Sequence, residues 1–313
     1  MWAIQYKRRR YLEHLSVEDL VARGKDVMTN LAILTEDMLI GFQPPDKTGE
    51  LWMILWADVC TEHQLRGYKY PEALQRSFVD AQLPKLDWPG VPEAIRKFRS
   101  MGLKETSYSV KFGHFKFLEG TLKKGIIRIA PASSYDDSSL NPAQKDLELE
   151  LTYMGLPHEV EIDVFDGKTG KPKGKIKPVG NVQFTERSKT DYYVYCLSAT
   201  FDYRLFGDFE YDCALVIKDP EKFLERLLFK FKEQFPGYTA AAHVIDYIDP
   251  LNFKSNKFSV FFSKHFRFWY QKECRAVWIP PTSVDMLEPI FLELGSLEDI
   301  CEIICLPACP PPA

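Results

Sequence analysis

The chain has 313 residues, of which 45% are hydrophobic and 27% charged, and its formal net charge is −4. That length is too great for one small core and suits two domains, or one domain with a large addition. The mild acidity excludes a chain built mainly to coat nucleic acid, which would carry a clear basic excess.

The N-terminus reads as helical. Lys7 to Arg10 form a basic run, but Tyr11 to Asp19 is too polar for the apolar stretch of a secretory leader. Leu51 to Cys60 is the most hydrophobic stretch and falls short of the roughly 20 residues of a membrane span. A cytoplasmic protein without membrane contact is therefore expected. Ser16 to Asp19 supplies a hydroxyl cap and first-turn acids, and Leu20, Val27, Leu31 and Leu34 carry helical spacing on to Leu39. Pro44-Pro45-Asp46 breaks the chain before a second helix, about Glu50 to His63, and a third covers Tyr70 to Asp80. Pro84, Pro89 and Pro92 punctuate a loop before a short helix, Glu93 to Arg99. Residues 1–100 carry no recognisable chemical motif and are expected to form a helical docking or regulatory module.

From Tyr108 the texture changes. Tyr108 to Phe112 alternates as a strand, Phe115 to Lys124 reads as a helix ending at Gly125, and Ile126 to Ala130 is a second strand. Pro131 to Pro142 is a loop of turn-forming residues. Glu159 to Phe165 and Lys175 to Phe184 flank a glycine- and lysine-rich tip as one long hairpin. Further strands are expected at Tyr192 to Ser198, Ala214 to Ile217, His243 to Tyr247 and Cys274 to Ile279, with an amphipathic helix over Pro220 to Phe235. Strands outnumber helices and do not alternate strictly with them. Residues 101–313 are thus expected to form an α+β domain on a mixed, mostly antiparallel sheet.

Most short motifs fall away on inspection. Gly167-Lys168-Thr169 resembles the end of a phosphate loop, but position 162 is Ile where the earlier glycine is required. Lysines at 168, 171, 173, 175 and 177 point to a solvated hairpin tip, with a nucleic-acid patch as the alternative. Asp136, Asp137, Asp146, Glu148 and Glu150 would suit a divalent metal, but scattered acids in such a loop more often face solvent. The seven cysteines read as reduced thiols, because their number is odd and Cys60, Cys196, Cys213 and Cys274 are scattered. Cys301, Cys305 and Cys309 recur every four residues without a histidine, which argues against structural zinc.

The richest stretch is Lys264 to Arg275. If its centre is a strand, Gln271 and Glu273 share one face while Lys272 points opposite. A carboxylate and an amide placed this way beside Trp269 and Tyr270 would hold one small polar ligand. The competing reading is a surface ion pair between Glu273 and Arg275 on an edge strand.

Three pieces in order carry a family resemblance: the strand Val110 to His114 with its following helix and Ala132 to Asp137; Tyr195 to Thr200; and Lys264 with Trp269 to Arg275. Together they resemble a broad bacterial family that pairs a Leu-x-x-Gly strand turn with a Cys-Leu-Ser strand and a late Trp-Tyr-Glu-Lys-Glu-x-Arg strand. That family is similar in layout to ADP-ribosyltransferases. The resemblance covers about residues 108 to 280 and implies an NAD-dependent mono-ADP-ribosyltransferase of a cytoplasmic macromolecule, with a toxin or phage-defence role. It implies that Glu273 is the catalytic glutamate stabilising the oxocarbenium-like transition state, and that Gln271 positions the acceptor. It also implies that Ser198 and Thr200 support the glutamate and ribose, that Lys111 or His114 grips NAD, and that Tyr135 and Trp269 complete the cofactor contacts. The sequence departs from the commonest pattern in that no arginine follows the first strand directly; Arg128 lies one strand later. The acceptor, protein or nucleic acid, is not specified, and the N-terminal helices would recognise the target or hold an inhibitor. Two other classes stay open: a non-catalytic nucleotide- or partner-binding module whose pocket is framed by Trp269, Tyr270 and His265, and a metal-dependent nuclease using Asp136, Asp137 and Glu148.

Overall fold

In the computed structural model the described residues are 2–69, 81–86, 88–252 and 258–307, together with 72, 75, 78 and 79. Most of the helix expected over Tyr70 to Asp80, and Cys309, lie outside them. Helix α1 (Trp2–Arg9) is followed by α2 (Val17–Leu31), the strands β1 (Ala32–Leu34) and β2 (Ile40–Phe42), and α3 (Lys47–Leu65). Ser16 caps α2 by accepting the Asp19 N–H, and Asp46 caps α3 by accepting from Thr48 and Gly49. The helix expected to reach Leu39 stops at Leu31. There the chain turns into an antiparallel β1–β2 hairpin whose turn includes Met38 at φ +58°. The apolar residues of this stretch satisfy either period, and the turn decides. Buried Glu62 joins α1 to α3, accepting the Tyr6 hydroxyl at 2.5 Å and the guanidinium groups of Arg10 and Arg66.

Past α4 (Val91–Ser100), the chain lays down β3 (Ser109–Gly113), α5 (Phe115–Lys124) and β4 (Ile126–Pro131). Gly125 ends α5 at φ +66°, and a Cβ there would lie 2.2 Å from the Gly295 carbonyl oxygen, so only glycine fits. Then come β5 (Glu150–Gly155), β6 (Ile162–Phe165), β7 (Pro172–Ile176), β8 (Val182–Arg187), β9 (Tyr193–Ser198), α6 (Arg204–Phe209), β10 (Cys213–Ile217) and α7 (Pro220–Gln234). The remainder is β11 (Thr239–Val244), β12 (Asp246–Ile248), β13 (Ser263–His265), β14 (Glu273–Ile279), β15 (Ile290–Glu293) and β16 (Cys301–Cys305). The main sheet has eight strands in the order β11-β14-β9-β3-β10-β16, with β4 also pairing β9 and carrying β15. All of its pairings are antiparallel; β12 and β13 form a separate parallel pair. The fold is α+β.

Strand β9 is the axis of this sheet. Along one side it pairs β14 over six residues; along the other it meets β4 at Tyr193 and Val194 but β3 only at Ser198. The sheet therefore forks, and Lys111 of β3 fills the fork by donating to the Cys196 carbonyl at 2.8 Å with its ammonium over the Tyr195 ring. One face of the sheet buries Tyr193, Tyr195, Leu215 and Trp278 under Phe223, Leu227 and Phe231, which recur every four residues on α7. The opposite face packs Val110, Phe112, Ala214 and Val216 against α4 and α6.

Two expectations need correction. The hairpin expected over residues 159–184 is shorter than that: β6 pairs β7 across the glycine- and lysine-rich tip, while β8 pairs back to β5, a distant partner that the local alternation of residues 147–153 does not reveal. Cys213 is not a reduced thiol. It faces Cys305 across β10–β16, and the two form a disulfide, a pairing fixed by long-range register. Cys60, Cys196, Cys274 and Cys301 are free.

Arg204 fastens the N-terminal helices to the sheet. Its buried guanidinium pairs with Asp208 at 2.7 Å and donates to the carbonyls of Thr29, Ala32 and Gln82, each at 2.9 Å. Arg204→Met strands a buried carboxylate and three carbonyls, and should lower unfolding stability by about 3–5 kcal/mol in urea titration. A loss below about 1 kcal/mol would show that these contacts do not hold the two parts together.

Candidate functional site

Sequence alone places Gln271 and Glu273 on one strand face. The structure corrects this. Phe266 to Gln271 form a 3-10 helix, Lys272 turns the chain through φ +47°, and β14 begins at Glu273. The amide of Gln271 is pinned elsewhere, donating to the Ala143 carbonyl at 2.7 Å. Asn30 holds the 3-10 helix against α2, donating to the carbonyls of Phe266 and Arg267 and accepting the Tyr270 N–H at 2.9 Å.

Glu273 is buried in a cluster of opposite charges. Arg275 Nε reaches Glu273 Oε1 at 2.7 Å, and its Nη1 reaches Glu148 Oε2 at 2.6 Å. Lys264 Nζ lies 3.1 Å from Glu273, 3.3 Å from Asp146 and 3.4 Å from Glu148. Burial alone would raise the Glu273 pKa, but Arg275, Lys264 and a hydrogen bond from Cys196 outweigh it and hold it at about 2. The same burial raises Asp146, which has less compensation, while three carboxylates drive Lys264 up against the loss of water. The competing reading of a surface pair is also corrected: this is an ion network inside the protein, on a strand flanked by β9 and β11.

The predicted site residues divide into three groups. Ser198 sits directly opposite Glu273 in the β9–β14 register, its hydroxyl within 2.8 and 2.9 Å of the carbonyl oxygens of Thr200 and Gln271. Lys111 and Tyr135 lie near the same cluster; burial lowers the first and raises the second well above the usual phenol, with Cys196, Glu148 and Glu273 adding to the rise in Tyr135. His114 belongs to another surface, 3.5 Å from Asp212 and beside Phe117 and Tyr211. Trp269 lines a cavity that Glu273 does not. Of the suggested nuclease acids, Asp136 and Asp137 are exposed whereas Glu148 is locked to Arg275. Among the described residues no three such side chains are grouped to hold a metal ion.

That cavity encloses about 860 Å³ between α1, α3 and the segment around β12, β13 and the 3-10 helix. Trp52, Phe266, Trp269, Tyr11 and Tyr247 supply rings to its wall, and Asp58, Asp246 and Asp249 supply carboxylates. Trp52 stacks on Phe266 at 5.7 Å and meets Trp269 at 5.4 Å, tilted by 56°. Tyr247 links cavity to cluster, since its hydroxyl accepts the Glu273 N–H at 2.7 Å. Tyr270 and His265, expected to frame the pocket with Trp269, do not line it. Tyr270 stacks beneath Arg204 on the other side, and His265, kept neutral at a pKa of about 3 by burial, accepts the Arg267 N–H. The lining residues from α1 and α3 carried no sequence signal, because an amphipathic helix shows its apolar face without showing what that face encloses.

No family model, curated protein or solved structure matches the chain. Among the described residues no helix is long and apolar enough to cross a membrane.

If Glu273 is a structural counter-ion, its contribution follows its depressed pKa. The stabilisation is complete above about 4.5, the ordinary value, and is lost as pH falls toward about 2. Glu273→Gln should therefore cost about 3–5 kcal/mol at pH 7, with the gap to wild type closing between those two pH values. A gap that stays constant down to acid pH would mean that the charge of Glu273 carries none of the stability.

Proposed function

We propose that this chain is a non-catalytic binding module that takes a small molecule in the aromatic cavity between the N-terminal helices and residues 246–252 and 258–269. The observation that carries this reading is the cavity itself. Its volume of about 860 Å³ falls within the roughly 300–1,000 Å³ typical of small-molecule sites. Its walls combine rings with a few converging polar groups, the usual composition of such sites. The ion network behind Tyr247 holds one wall in place, and Asn30 holds the other end of that wall.

A second reading, ADP-ribosyl transfer from NAD to a macromolecule with Glu273 as the electrostatic group, is favoured by one observation. Ser198 and Glu273 are register partners on adjacent strands, as the family resemblance requires, and the mostly antiparallel sheet suits that layout. Two features weigh against it. Both carboxylate oxygens of Glu273 already face cations, so its field is largely cancelled where a ribose cation would need it. His114 also belongs to another surface, and Trp269 lines a cavity that Glu273 does not.

Titration of intrinsic fluorescence tests the first reading, because Trp52 and Trp269 line the cavity. A bound small molecule should shift their emission, and Trp269→Ala should weaken binding by about 1–3 kcal/mol, the range for one lost aromatic contact. Incubation with NAD separates the alternatives. Nicotinamide release that falls at least about a hundredfold in Glu273→Gln would replace the binding reading with the transferase.

A further inference from the structure

We propose that the cavity selects a small organic cation, a protonated or quaternary amine on a compact apolar body. This inference rests on the cavity being a binding site. Three observations favour positive charge over the nucleotide that a generic binding module would admit.

The first is a carboxylate with no ion-pair contact among the described residues, on which Arg23 and Arg9 act only from beyond contact distance. Asp58 of α3 is 8% exposed and lines the cavity, yet its only hydrogen bond among the described residues comes from the neutral Tyr11 hydroxyl at 3.0 Å. None of the ion pairs among the described residues includes Asp58 or Asp246. The third carboxylate, Asp249, is balanced by Arg23 through contacts of 2.7 and 2.8 Å. Of the cations on the wall, Arg9 faces Glu159 at 3.9 Å, and Lys47 is solvent-exposed. Asp246 is likewise solvent-exposed, so the less exposed groups are Asp58 and Asp249 against Arg23, one charge to the negative side, and a phosphate placed there would meet Asp58.

The second is ring geometry. Trp52 and Trp269 meet at 56° and make a corner whose π faces are electron-rich. The third is a precedent within the wall. Arg23 already lies 5.6 Å over Tyr11 and 5.1 Å over Phe266 while paired to Asp249, and the Lys272 ammonium lies over Trp269. Rings and a carboxylate beside this wall already replace water around one cation, Arg23, whereas burial without a paired carboxylate lowers Lys272 to about 7. Asp58 and the Trp52–Trp269 corner repeat those components around open space.

The test compares probes of one shape and different charge: phenyltrimethylammonium, its neutral isostere tert-butylbenzene, and the anion benzoate. Binding to the full chain is followed by tryptophan fluorescence. The cation should bind about tenfold or more tighter than the isostere, within the 2- to 30-fold that a desolvated cation–π contact supplies, and benzoate should be weakest. Asp58→Asn, which keeps the Tyr11 partner, should remove most of that preference while leaving tert-butylbenzene affinity unchanged. The comparison of probes on the wild-type chain stands even if the variant fails to fold. Equal binding of cation and isostere, abolished by Trp269→Ala, would overturn the charge assignment and leave the cavity as a binding site. No probe binding in a Trp269-dependent manner would overturn both.

Discussion

Arg275 lies at the centre of the constraint on which this molecule depends. Its guanidinium is 2% exposed and bridges Glu273 on its own strand to Glu148 in the loop before β5. Taking such ions out of water is unfavourable by several kcal/mol each, and only dense mutual contact offsets it. The network therefore tolerates little displacement. The 141–148 loop, β13 and the start of β14 must all arrive in register, and Lys264 closes the set by facing three carboxylates. Such clusters do more to select one arrangement than to add net stability, because a misplaced strand would leave a bare charge in the interior.

That role accounts for how Glu273 can look catalytic while being held closed. A strand partner at Ser198 and neighbouring rings are features an active carboxylate would share. Charge compensation is what separates the two cases. Both carboxylate oxygens of Glu273 already face permanent cations, which weakens its field toward any further positive charge. The 3-10 helix from Phe266 to Gln271 then carries the consequence outward. It is tied to α2 through Asn30 and to the network through Lys264, so Trp269 and Phe266 are presented to the cavity on a stiff support.

The sequence was legible where local rules decide. The Ser16 cap, the Gly125 helix stop, the apolar repeat of α7 and the change of texture near Tyr108 all follow from short-range chemistry, and the α+β class follows from their sum. Illegible were features set by distant partners. Leu34 fits a helix or a strand until Met38 turns; Cys213 has no visible partner until β16 arrives 92 residues later. Gln271 and Glu273 alternate on paper, but Lys272 adopts a left-handed conformation that no spacing rule anticipates. The candidate site was legible in part. Glu273, Ser198 and Lys111, singled out from the sequence, lie near one buried cluster, yet nothing in their order tells that Trp269 belongs to a different space, walled by Trp52 and Asp58 from more than 200 residues earlier.

The cavity has one wall from α1 and α3 and another from β12 through the 3-10 helix, and these walls meet only when the N-terminal helices are docked. An occupant touching both acts as a molecular adhesive. Thermodynamic reciprocity then requires that whatever loosens the helices weakens the occupant, and that each tenfold excess of occupant over its dissociation constant strengthens docking by about 1.4 kcal/mol. Arg204 and the Arg23–Asp249 pair supply part of this docking without any ligand. If the cavity takes such an occupant, the fraction of time that α1 and α3 spend released would fall as its concentration rises.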